Sequence, residues 1–224
     1  NEIMKITLKD GSVLEYNEAK TAADITKDIS MGLFRNATCC KINGEVKDLR
    51  TVIDTDASLE ILTFDDEDGR KAFNHTASHI MAQAVKRLYP EAKLTIGPAI
   101  DNGFYYDFDV EKSFSPEDLT KIEAEMKKIV KEDPEIKRFE LPVDEAIALM
   151  ESKNEPYKIE LIKEHAEKGE PISFYEQGEF TELCAGPHLM DIKVVKAFKL
   201  TQCTGAYWRG DEKNKVLCRV YGTA

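Results

Sequence analysis

The 224-residue sequence contains no apolar run near the ~18 residues that a membrane-crossing helix needs, and no basic-then-apolar segment opens it. A membrane-free, cytoplasmic protein is therefore expected. Paired cysteines are missing as well. The five present (Cys39, Cys40, Cys184, Cys203 and Cys218) are odd in number and form no Cys-x-x-Cys. A disulfide framework is not expected, and a reducing compartment fits best. Positive charge is short: 31 Lys and Arg face 42 Asp and Glu, a net charge of -11. Taken alone, that argues against a nucleic-acid binder, because phosphate contacts need cations. Histidine is scarce at four residues, so the placing of each one matters.

What is present points to a folded protein. Hydrophobic residues make up 42% of the chain and charged ones 33%, enough for a packed core and unlike a disordered tract. The length suits one large domain or two modest ones. Charge is also unevenly spread. From Ala185 to Ala224 there are seven Lys and Arg (Lys193, Lys196, Lys199, Arg209, Lys213, Lys215, Arg219) against three acids (Asp191, Asp211, Glu212). That segment reads either as an RNA-facing patch or as an ordinary solvated face.

Element patterns divide the chain. Ile3 to Leu8 alternates as a strand, Asp10-Gly11 is a turn, and Val13 to Tyr16 is the return strand. Thr21 caps a helix to about Ile29. Ala37 to Ile42, the turn Asn43-Gly44 and Leu59 to Phe64 complete a small β-grasp domain over residues 1–64. The acidic run Asp65-Asp66-Glu67-Asp68-Gly69 is expected to be a linker. Residues 65–224 read as a larger α+β domain with an antiparallel sheet. Its helices are expected from about Arg70 to Leu88, from the Ser115-Pro116 cap to about Lys131, over Val143 to Lys153, and over Tyr157 to Lys168. Strands are expected over Thr95 to Ile100, Phe104 to Phe108, Ile136 to Leu141, Ile172 to Tyr175, Phe180 to Leu183, Lys196 to Thr201, Ala206 to Trp208 and Val216 to Val220.

Two histidine-bearing units stand out. His75 and His79 share a face of the first long helix, opposite the stripe of Phe73, Ala77, Ile80, Met81, Ala84 and Leu88. Histidines on that face are either exposed or line a cleft. Cys184-Ala185-Gly186-Pro187-His188 brings a thiol and an imidazole onto a tight turn, since Gly-Pro forbids a regular helix there. Three imidazoles and a thiol suit zinc. They equally suit metal-free hydrolysis, because neutral His accepts a proton from water near pH 7. The helix is not a metalloprotease motif, since Thr76 stands where a Glu would be required. A thiol-nucleophile reading would need Cys184 to be activated, and nothing in the sequence shows that. His165, among Glu164, Glu167 and Lys168, reads as a surface residue.

These pieces together resemble a known family. Asn-His-Thr-Ala-Ser-His at 74–79, Thr-Ile-Gly-Pro-Ala-Ile-Asp-Asn-Gly-Phe-Tyr-Tyr-Asp at 95–107, Glu-Pro-Tyr-Lys at 155–158, Cys-Ala-Gly-Pro-His at 184–188 and Gly-Ala-Tyr-Trp-Arg-Gly-Asp at 205–211 resemble the editing domain of bacterial threonyl-tRNA synthetases. The first domain looks like the TGS domain that precedes it in that family. The chain ends at Val220-Tyr221-Gly222-Thr223-Ala224, where the family continues into its catalytic core, so a fragment is expected that neither activates threonine nor binds ATP.

The resemblance implies hydrolysis of serine wrongly attached to threonine tRNA, with correctly charged threonine spared. His75, His79, Lys158, Cys184 and His188 would form the catalytic set, and Glu182, Tyr106 and Gly97 would meet the aminoacyl group or the terminal adenosine. Glu182 stands where the family more often has Asp, and Ala185 where it has Arg. The resemblance implies no required cofactor. If zinc binds, the ligands would be His75, His79, Cys184 and His188. The partners implied are the serine-charged acceptor end of tRNA(Thr) and the rest of the synthetase chain, with no membrane and a monomeric fragment. Two alternatives remain: a zinc-dependent alanyl-type deacylase, and a noncatalytic RNA-binding or regulatory module.

Overall fold

The computed structural model describes residues 2–224. The chain divides into two compact units. The first runs to Phe73 and also takes in Gly186–Met190; the second comprises Asn74–Ala185 and Asp191–Ala224.

In the first unit, β1 (Met4–Leu8) and β2 (Val13–Tyr16) form the expected hairpin. β3 (Lys20–Thr21) leads into α1 (Ala22–Ile29), followed by α2 (Met31–Asn36), β4 (Ala37–Ile42), β5 (Glu45–Lys47), β6 (Val52–Ile53) and β7 (Ala57–Thr63). The main sheet has the order β2-β1-β7-β4-β5, with β1 and β7 parallel. This is a β-grasp: one helix packed across a mixed sheet. Thr21 Oγ1 accepts the Asp24 N–H at 3.0 Å and so supplies the cap that starts α1. Ala22, Ala23 and Ile25 of the helix then bury against Met4, Ile6 and Leu59 of the sheet. The sequence pattern missed α2 and the short strands β3, β5 and β6. Each is at most six residues long, too short for periodicity to register.

The acidic run does not form a linker. Phe64 and Asp65 make a turn closed by the Asp66 N–H on the Thr63 carbonyl, and Glu67 already begins α3 (Glu67–Leu88). Glu67 and Asp68 therefore occupy a helical first turn, where negative charge is favourable. Gly69 is required there by close approach, because a Cβ would collide with the Thr63 carbonyl oxygen. Acid-rich, Gly-containing sequence suits a helix start as well as a linker, so composition alone could not separate them.

In the second unit, α3 continues and is buried without interruption from Thr76 to Val85. Then come β8 (Lys93–Leu94), β9 (Ala99–Ile100), β10 (Gly103–Asp109), α4 (Pro116–Glu132), β11 (Ile136–Glu140), α5 (Val143–Ser152), α6 (Pro156–Glu167), β12 (Ser173–Gln177), β13 (Phe180–Leu183), β14 (Lys199–Tyr207) and β15 (Val216–Thr223). Ser115 and Asp118 cap α4 reciprocally, as the Ser-Pro signal predicts. The unit is α+β, but it holds two antiparallel sheets where one was expected: β14-β15-β10-β8, with β9 on β10, and β11-β12-β13. The stretch expected as a strand over Thr95 to Ile100 is strand only at its end, in β9; β8 lies just before it. The two segments read separately near Lys196 and Ala206 are one strand, β14.

The cysteine reading also needs correction. Cys203 and Cys218 are joined, with Cα atoms 6.2 Å apart. The register of β14 on β15 pairs Cys203 with Val220 and Gly205 with Cys218, so the two cysteines are diagonal neighbours. Linear spacing cannot reveal a cross-strand pair when the register is unknown. Among the described residues, no helix is long and apolar enough to cross a membrane.

Candidate active site

Four elements bring polar side chains together: α3, β10, α6 and β13. Cys184 Sγ lies 3.3 Å from His75 Nε2, and the rings of His75 and His79 meet edge to face at 4.9 Å. The potential ligand atoms of His75, His79 and Cys184 all lie within 4.8 Å of one another. His79 does not follow the expectation of an exposed or cleft-lining face. It is 4% exposed, and its Nε2 lies 3.3 Å from Glu182 Oε2. At His79 the helix face opposite the apolar stripe is buried too, against polar groups rather than water. His75 and Cys184 are only half-buried.

Glu182 is the hub. Its Oε1 accepts from Lys158 Nζ at 2.8 Å and from the Tyr106 hydroxyl. Its Oε2 is buried, within ion-pair distance of His79, and has no hydrogen-bond partner among the described residues. Burial opposes the charge on Glu182. The Lys158 ammonium and the hydrogen bonds from Lys158 and Tyr106 outweigh it, so the carboxyl is held below its ordinary range. Burial has the opposite outcome for His79. It pushes the imidazole below its ordinary value despite the nearby carboxylate, and Lys158 adds to the depression. Burial, followed by the Glu182 charge, drives the Tyr106 hydroxyl well above its usual value, so Tyr106 acts as a donor.

Backbone geometry supports this cluster. Gly97 packs so closely on the Tyr106 ring that a Cβ would overlap it. Ser78 Oγ lies 2.7 Å from the His75 carbonyl oxygen and 2.8 Å from that of Gly97, bridging α3 to the strand region that carries Gly97. Ser173 Oγ donates to the Cys184 carbonyl at 2.6 Å, and the Cys184 N–H donates to the Ser173 carbonyl at 3.0 Å. This reciprocal pair fixes where the thiol stands at the end of β13. Sequence reading passed over both serines. Small hydroxyl residues carry no periodic signal; only their place inside or near the quoted motifs could have drawn attention to them.

His188 belongs by its contacts to the first unit. It is buried, and its N–H donates to Asp48 at 3.0 Å. The Gly186–Pro187 peptide preceding it is cis. His165 is partly exposed and pairs with Glu170 at 3.6 Å, as its setting suggested. The basic excess after Ala185 is largely engaged by acids. Lys193 pairs with Asp133, Lys199 with Glu123, Arg209 with Glu160 and Glu164, Lys215 with Asp109, and Arg219 with Asp107.

Comparison with known proteins defines the class. Residues 4–63 match the TGS domain, and residues 172–221 match the threonyl and alanyl tRNA synthetase second additional domain. The second match includes Glu182, Cys184 and His188. Threonine–tRNA ligases of Acetivibrio thermocellus, Clostridium perfringens and Clostridium tetani are 64%, 63% and 62% identical to the chain over 222 residues. Each alignment takes in 99% of this chain and 34–35% of the relative. The chain belongs to the threonyl-tRNA synthetase family and spans about a third of the length of the curated relatives it matches.

Proposed function

We propose that the chain hydrolyses the ester of serine mischarged on tRNA(Thr) and spares the threonyl ester. The observation that carries this reading is the buried Lys158–Glu182–His79 cluster beside the half-buried His75–Cys184 pair. A buried polar network is costly unless its members are satisfied, and here it backs a water-accessible imidazole and thiol.

The reaction needs a base, a positioned water and donors for the developing oxyanion. Of His75, His79 and His188, His75 is the one with access to solvent, so it is assigned to orient or deprotonate the water. His79 is buried and held toward its neutral form, and it orients the cluster. Lys158 stabilises negative charge, with its ammonium already held by Glu182. Cys184 and His188 shape the cavity around the ester, and Tyr106 and Gly97 face the terminal adenosine or the aminoacyl group. Glu182 Oε2, buried and without a hydrogen-bond donor, is available to the seryl amine or hydroxyl. Serine is threonine without one methyl, and a synthetic pocket rejects the smaller residue by only about 10–200-fold. A second site that clashes with the methyl removes the error. The remaining synthetase chain would carry out threonine ligation, and we place this work in the cytoplasm, with the chain itself monomeric.

Zinc is a second reading, favoured by the donor set. Ligands of a tetrahedral zinc stand about 3.3–3.8 Å apart, which follows from bonds of about 2.0–2.3 Å. The 3.3 Å between His75 Nε2 and Cys184 Sγ is compatible with this, and His188, four residues after Cys184, would be a fourth donor with His79. Bound zinc would polarise the ester carbonyl or acidify water. Our reading requires no metal, since a neutral imidazole such as that of His75 can itself take a proton from water near pH 7. Stoichiometric zinc in protein purified without added metal would overturn that preference.

The test is release of serine from Ser-tRNA(Thr), with Thr-tRNA(Thr) as control, by the wild type and His75→Ala. Serine release that spares threonine and falls about 10²–10⁴-fold in the variant is expected. Binding of tRNA with no release at any protein concentration would favour a noncatalytic RNA-binding module.

A further inference from the structure

The segment after Cys184 has no helix or strand of its own up to Met190. Its backbone is held instead by two side chains from the turn after β5. Asp48 Oδ2 accepts the His188 N–H at 3.0 Å. Arg50 Nη1 donates to the His188 carbonyl at 3.2 Å, and Nη2 donates to the Leu189 carbonyl at 2.8 Å. The two side chains also fix each other. Arg50 Nη1 donates to Asp48 Oδ1 and Oδ2 at 3.0 and 3.1 Å, and the Arg50 N–H reaches Oδ1 at 2.8 Å. The Asp48 and Arg50 side chains are 6% and 14% exposed, so the pair is largely shielded from competing water.

We infer that Asp48 and Arg50 are positioning residues for His188: their bonds set the backbone on which its imidazole stands. This rests on the reading of His188 as part of the hydrolytic set. The bonds reach both backbone polar groups of His188, so they fix the point from which its side chain extends. An imidazole on irregular backbone needs such support, because a displacement of about 1 Å can cost on the order of 10² in rate. Lys cannot replace Arg50 here. One ammonium has no rigid fork with which to span Asp48 and two carbonyls.

The experiment uses the full chain as wild type, Arg50→Lys and Asp48→Asn. It measures serine release under single and multiple turnover, thermal unfolding, and hydrogen exchange at the His188 and Leu189 amides. Both variants are expected to unfold cooperatively and to exchange the His188 amide at least about 10-fold faster. They should lose about 10–100-fold in kcat with KM little changed. Unchanged kcat in a folded Arg50→Lys would overturn the inference, as would unchanged amide exchange in both variants. If the wild type releases no serine, the functional reading fails. The amide exchange then still decides whether Asp48 and Arg50 hold the His188 segment.

Discussion

Lys158 Nζ and Glu182 Oε1 are 2.8 Å apart, and the two side chains are 3% and 2% exposed. A charge pair this deep survives only while both members are present. Removing one leaves the other desolvated and uncompensated, at a cost of about 3–5 kcal/mol. Lys158→Met is therefore expected to destabilise the chain by roughly that amount, while Lys158→Met with Glu182→Leu is expected to recover part of it. Denaturant unfolding of the two variants checks this. The acid side follows in sign. The folded carboxyl of Glu182 lies below its unfolded value, so its contribution is present at neutral pH and is lost as pH falls through the folded value.

Gly97→Ala is expected to cost about 1–3 kcal/mol, because the new methyl overlaps the Tyr106 ring and the ring cannot move without leaving Glu182. Serine release should fall together with stability. Unchanged melting and unchanged release would mean that the two strand regions separate more easily than their packing implies.

The basic segment after Ala185 predicts a shallow salt dependence of tRNA binding. Five of its cations are engaged by carboxylates at 2.6–3.5 Å, so few remain to release counterions from phosphate. A plot of log binding constant against log salt for the chain alone is expected to have a slope between zero and about −2. A slope steeper than about −5 would show that these ion pairs open on RNA.

Periodicity and turn chemistry made much of the fold legible. Thr21 and Ser115 cap helices where expected, because capping is decided within a few residues. The hairpin at Asp10-Gly11 was readable for the same reason. The Cys203–Cys218 contact was not, since it depends on strand register, nor was the division of the second unit into two sheets. At the candidate site, spacing singled out His75, His79 and Cys184, which do lie together. It could not give the pairing of Lys158 on α6 with Glu182 on β13, nor the burial of His79, because both depend on how distant elements pack. Lys158, Glu182, Tyr106 and Gly97 came only from family resemblance, and Asp48 and Arg50 from neither source.

Cys39 and Cys40 lie side by side on β4, fully buried on opposite faces of the strand. Burial pushes both thiols up to about 12. An unfolded cysteine ionises near pH ~8.5. The unfolded chain therefore releases these protons before the folded one does. Their contribution to stability is complete below the unfolded value and is lost as pH rises from there through about 12. The first unit is expected to loosen in this alkaline window, and Cys39→Ala with Cys40→Ala should flatten the loss. At neutral pH a thiol reagent should modify the half-buried Cys184 well before either of the β4 pair. Rapid labelling of Cys39 or Cys40 in the native protein at about pH 7 would mean that the β-grasp sheet opens far more often than its packed core implies.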